Sequence, residues 1–88
     1  MKVSFRNLSI QPSLKGEPVV KDLTEDVANA VYQEANTFEQ HKLAHRIAES
    51  GDEIELTAEE AEWVKRAVGG FRFFAQKPIL EALGEKFD

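Results

Sequence analysis

Residues Asp52-Glu53-Ile54-Glu55-Leu56 alternate acidic and aliphatic side chains, and Thr57-Ala58-Glu59-Glu60 follows them without a gap. Alternation with a period of two places Ile54 and Leu56 on one face of a short strand and the acids in water. The next four residues are a capping box. The threonine oxygen accepts a hydrogen bond from the amide three residues on, and the glutamate returns one. A strand therefore turns directly into a helix at Thr57. That helix carries Ala61, Val64, Ala67 and Val68 inside, with Gly69-Gly70 at its end.

The rest of the chain divides by the same two periods. Val3 and Phe5 oppose Lys2, Ser4 and Arg6, which predicts a first strand over residues 2–10. Gln11 to Pro18 is rich in proline, glycine and polar residues. Lys15-Gly16-Glu17-Pro18 marks its turn, and Val19-Val20 after it completes a hairpin. Leu23, Val27, Ala30, Val31, Ala35 and Phe38 recur at helical spacing, capped by Asp22 or Thr24. Thr37 and Gln40 make a further capping box ahead of Leu43, Ala44, Ile47 and Ala48, so two helices with a bend near Asn36 are expected, the second stopped by a left-handed Gly51. Pro78 opens a last helix whose apolar face is Ile79, Leu80, Leu83 and Phe87. The expected fold is a mainly helical α+β domain: a small N-terminal strand or hairpin sheet with a short central strand, packed against three to four helices.

Eighty-eight residues provide one core and one domain, spanning 1–88. Cysteine is absent, which removes disulfides and thiolate metal sites and fits a reducing compartment. The start Met1-Lys2-Val3-Ser4-Phe5 has no basic head and apolar run, and charged residues interrupt every stretch long enough to span a bilayer. A soluble, cytoplasmic protein without a membrane partner is expected. The net charge of -5 opposes generic nucleic-acid binding. The charge is also polarised: Glu49 to Glu62 holds seven acids and no base, whereas Trp63 to Pro78 holds four bases and no acid. Such a layout orients an approaching partner.

The stretch from Gly51 to Glu60, with Lys65-Arg66-Ala67-Val68-Gly69 behind it, resembles small proteins of no established activity encoded by bacteriophages and prophages. Asp26-Val27-Ala28-Asn29-Ala30-Val31 and the final helix after the glycines have counterparts in that layout, and the aromatic run Phe71 to Phe74 departs from it. The resemblance implies a mobile-element origin and a bacterial cytoplasmic setting, and it transfers no functional residue.

Chemistry-bearing groups are few. His41 and His45 share a helix face at a spacing that suits zinc, and Glu49 extends that face, but Lys42 replaces the glutamate of a His-Glu-x-x-His motif. A polar surface face is the simpler reading, so no metal or cofactor is assigned. Glu53, Glu55, Glu59 and Glu60 lie where solvent exposure is expected, without the unequal environments that separate an acid from a base. No small-molecule substrate is indicated, and Gly69-Gly70 lacks the lysine and spacing of a phosphate loop. A non-enzymatic protein is expected.

The segment Trp63 to Lys77 is the most informative. A core this small needs large side chains, so the three phenylalanines fill it in the simplest reading; where it has no room for Trp63, Phe71, Phe73 and Phe74 together, they leave an aromatic patch rimmed by Arg66, Arg72 and Lys77. Aromatic and arginine side chains of that kind anchor protein interfaces, and a self-complementary patch gives a two-fold homodimer. The expected function is thus protein association, as a homodimer or as an adapter of a larger assembly. The alternative is single-stranded nucleic acid, with Lys65, Arg66, Arg72 and Lys77 on phosphates and Phe71 or Phe74 stacked on bases.

Overall fold

The computed structural model describes residues 1–87 and has the expected α+β architecture. Its elements in chain order are β1 (Lys2–Val3), β2 (Leu8–Ile10), β3 (Val19–Lys21), α1 (Thr24–Glu34), α2 (Phe38–Ala48), β4 (Ile54–Glu55), α3 (Ala58–Ala67), a 3-10 turn (Val68–Gly70) and α4 (Phe73–Ala82). The strands form two separate antiparallel pairs. In one, Lys2 faces Glu55 and Val3 faces Ile54; in the other, Leu8, Ser9 and Ile10 face Lys21, Val20 and Val19. The single strand expected over residues 2–10 is therefore interrupted at Ser4 to Asn7. The interruption lets Phe5 turn into the core at 2 % exposure while its carbonyl accepts from the Leu23 amide at 2.7 Å.

The hairpin exists, but its turn lies earlier than Lys15 to Pro18. The Gly16 amide donates to the Ser13 carbonyl at 3.2 Å, and Gln11 Nε2 donates to the carbonyls of Leu14 and Gly16 at 3.1 and 3.3 Å. That side chain satisfies loop carbonyls which a short hairpin leaves without strand partners.

One core joins both strand pairs to all four helices. Val27, Leu43, Ile47, Val64, Val68 and Ile79 are fully enclosed, and Leu56 is 1 % exposed. Side chains of this size each stabilise the fold by about 1.5–3 kcal/mol when buried. Helix α1 packs against α2 and α3, whereas α4 lies against β2. The break between α1 and α2 falls where Asn36 predicts it. Thr37 Oγ1 accepts from the Gln40 amide at 3.2 Å, but Gln40 Oε1 accepts from the Asn36 amide at 2.8 Å, one residue before the cap. Phe38 is 71 % exposed at the start of α2, so it leaves the apolar stripe in which its spacing had placed it. Leu23 occupies the N-cap of α1 without a side-chain bond. Asp22 Oδ1 takes the Thr24 amide at 2.9 Å instead.

Helix termini account for the remaining differences. Gly51 has no left-handed backbone, and α2 ends instead with Arg6, which donates to the carbonyls of Ser50 and Gly51 and pairs with Asp22 at 3.0 Å. Gly69 and Gly70 form the 3-10 turn, also with no positive φ. The left-handed glycine is Gly84, at φ 97°. Around it the Glu85 amide donates to the Leu80 carbonyl and the Gly84 amide to the Glu81 carbonyl, both at 3.0 Å, which is the Schellman pattern. Pro78 does not open α4. The helix starts at Phe73 and carries the proline inside, at the cost of the bond that a residue-78 amide would make to the Phe74 carbonyl. Phe87 lies beyond the end of α4.

Candidate functional site

The structure distributes the seven aromatic and basic residues over two faces. Trp63 and Arg66, three apart on α3, share a shallow hollow with Val31, Ala35, Asn36 and Gln40 at the α1–α2 junction. Trp63 is half-buried against the core. Arg66 also borders an adjoining hollow with Asp26, Glu34 and Phe71. Phe71 is half-buried there too, and its amide closes the 3-10 turn onto the Val68 carbonyl at 3.0 Å. The chain then turns the corner. Arg72 is extended and exposed at the N-cap of α4, and it lines neither hollow.

Phe73, Phe74 and Lys77 belong to the other face. With Pro78 and Glu81 they form one wall of an open groove, and Ser9, Gln11, Ser13, Leu14 and Pro18 of the hairpin form the other. Phe73 is 56 % and Phe74 43 % exposed, and Leu14 stands 92 % exposed on the loop that Gln11 holds. Phe87 adds to this face by meeting Phe73 edge to face, ring centres 5.6 Å apart. Burying such rings and Leu14 against a partner is favourable at roughly 25 cal/mol per Å² of apolar surface removed from water. Leu14 and Pro18 were missed from the sequence as parts of this face. Their signal was a large aliphatic side chain and a second proline inside an otherwise polar loop.

The bases do not converge. Lys65 lies between Glu85 at 3.0 Å and Glu62 at 3.3 Å, and the Glu85 bond foremost raises its pKa above the ordinary lysine value. Lys77 sits one helical turn from Glu81 on the groove wall. Among the acids, the Glu55 carboxylate is 3.6 Å from the Met1 amino group. The Glu60 carboxylate is engaged by the Thr57 amide at 2.9 Å and by Arg46. Desolvation pushes the Glu60 pKa upward, but these hydrogen bonds overcome it and hold the group below its ordinary value.

On the outer side of α1 and α2, the Nε2 atoms of His41 and His45 approach to 3.2 Å. The Tyr32 ring stands beside them, 5.2 Å from His41 and 6.4 Å from His45 between centres. Glu49 does not join them: among the described residues no three metal-ligating side chains gather. Nor is any helix among those residues long and apolar enough to cross a membrane.

No protein-family model, curated protein or solved structure matches this chain.

Proposed function

We propose that this chain works without catalysis, by protein association through the groove face of α4 and the β2–β3 hairpin, and that a second copy of the chain is the occupant. The observation that carries this reading is the exposure of Phe73, Phe74 and Leu14 along one groove. Clustered exposed aromatics are what buried interface anchors consist of. Self-association is favoured by the charges on the same wall. Lys77 and Glu81 are one turn apart, so an antiparallel, two-fold pairing of α4 helices sets each Lys77 opposite the other copy's Glu81. A mobile-element origin and a cytoplasmic setting belong to the same proposal, on the resemblance of residues 51–69.

The nucleic-acid alternative receives less support. Arg66 and Lys77 lie on different faces, and Lys65 is already engaged by two carboxylates. Size-exclusion chromatography with light scattering tests the association. Wild type is expected to be dimeric, and Phe73→Asp to shift it to monomer without loss of helical signal. A wild-type monomer at every accessible concentration removes the second copy as the occupant.

A further inference from the structure

From the geometry of His41 and His45 we infer that this pair is a two-ligand chelate for one divalent transition-metal ion of the zinc, nickel or copper class. The site lies on the outer side of α1 and α2 and does not rest on the association proposed for α4. A four-residue spacing puts both imidazoles on one side of α2, and in the structure their Nε2 atoms are 3.2 Å apart. Metal–nitrogen bonds of about 2.0–2.1 Å make that separation subtend about 100° at a shared ion, between the octahedral edge and the tetrahedral angle. Ring placement agrees. Two imidazoles aimed at one ion with this bite hold their centres about 5 Å apart, and the observed value is 4.7 Å.

The pair is also positioned before any ion arrives. Tyr32 of α1 stands beside both rings, nearer to His41 than to His45, and a pair already placed together loses less side-chain freedom on binding. Both rings must be neutral at Nε2 to ligate, and imidazole is a ligand common to zinc, nickel and copper. Without metal, the two Nε2 atoms lie within hydrogen-bond distance of each other. Among the described residues no third protein ligand is at hand, so the remaining positions fall to water or to the same pair on a second copy.

The test is calorimetric titration of Zn²⁺ and Ni²⁺ into the tag-free full chain, alongside His41→Gln and His45→Gln, with imidazole ¹⁵N NMR of the wild type. The wild type is expected to bind one ion per chain, or one per two chains if a second copy completes the sphere. Its affinity should exceed that of either variant by more than about tenfold, because the second ring joins at millimolar or higher effective concentration. Both Nε2 resonances should shift together during the titration. Affinity equal to that of the single-histidine variants, or a shift of one ring alone, overturns the chelate and leaves a hydrogen-bonded pair. The NMR result decides by itself if either variant loses its fold by circular dichroism.

Discussion

Arg46 of α2 donates to the same Glu60 carboxylate that closes the capping box of α3 onto the Thr57 amide. One side chain thus ties two helices and starts one of them, with only 16 % of it exposed. Removing it in Glu60→Ala should lower unfolding free energy by about 1 kcal/mol, the usual scale for a lost cap. Glu60→Gln keeps an acceptor for Thr57 and should lose less.

The same contact sets an acid dependence. The folded-state pKa of Glu60 is held below its ordinary value, so the native state binds fewer protons than the unfolded chain as pH falls. Its contribution is present above the unfolded pKa and is lost as pH drops through the folded one. Asp22 has the same sign, lowered first by the Thr24 amide, then by the Thr24 side chain and by Arg6. Urea midpoints measured from pH 7 to 3 should decline for the wild type and decline less steeply for Glu60→Gln, with Asp22 supplying the residual slope. Equal slopes would show that Glu60 titrates alike in both states.

The glycines separate by backbone. Gly84 has φ 97°, where a side chain strains the backbone, so Gly84→Ala should destabilise by about 1–2 kcal/mol and fray the end of α4. Gly51 has neither a positive φ nor any atom within 4 Å of an added Cβ. Gly51→Ala should be neutral or stabilising by up to about 1 kcal/mol, through the unfolded chain. Paired thermal melts decide, and a Gly51→Ala as damaging as Gly84→Ala would contradict this assignment.

That contrast also shows what the sequence could convey. Local chemistry was legible wherever a motif closes on itself: Ile54 to Glu60 gave the strand, the cap and α3, and Thr37 with Gln40 marked the start of α2. It was not legible where a distant residue supplies the partner. Arg6, far away in the chain, satisfies the carbonyls of Ser50 and Gly51, which spares Gly51 the left-handed turn that its position suggested. Pro78 reads as a helix opener by its chemistry, yet packing of Ile79 in the core and of α4 on β2 carries the helix through it. The candidate site divided for a related reason. Trp63 to Lys77 is continuous in sequence, but the corner at Phe71-Arg72 sends its two ends to different faces.

Exposure along α4 predicts opposite outcomes at neighbouring positions. Ile79 is fully enclosed, so Ile79→Ala should cost about 2–5 kcal/mol by lost burial and the cavity left behind. Phe73 is 56 % exposed, and Phe73→Asp should change the unfolding free energy of the monomer by about 0.5 kcal/mol or less. Denaturant unfolding at low protein concentration measures both apart from any self-association. A large loss in Phe73→Asp would place that ring in the core and remove it from the proposed association face.

Single-stranded nucleic acid should bind weakly or not at all. Phosphate contacts release counterions, so a true binder loses affinity steeply with salt, and losing one contacting base reduces the slope by about one. Here Lys65 is held between Glu62 and Glu85, Arg66 shares its hollow with Asp26 and Glu34, and Lys77 stands beside Glu81. The two carboxylates on Lys65 lie well inside a Debye length of about 10 Å and oppose an approaching phosphate. Fluorescence anisotropy with labelled oligonucleotides at ~50 mM salt and tens of micromolar protein should stay flat, because nonspecific binders reach that range. Saturable binding with a salt slope that falls in Arg72→Ala or Lys77→Ala would reverse the order of the two functional readings, since those bases flank the exposed Phe73 and Phe74 on which bases could stack.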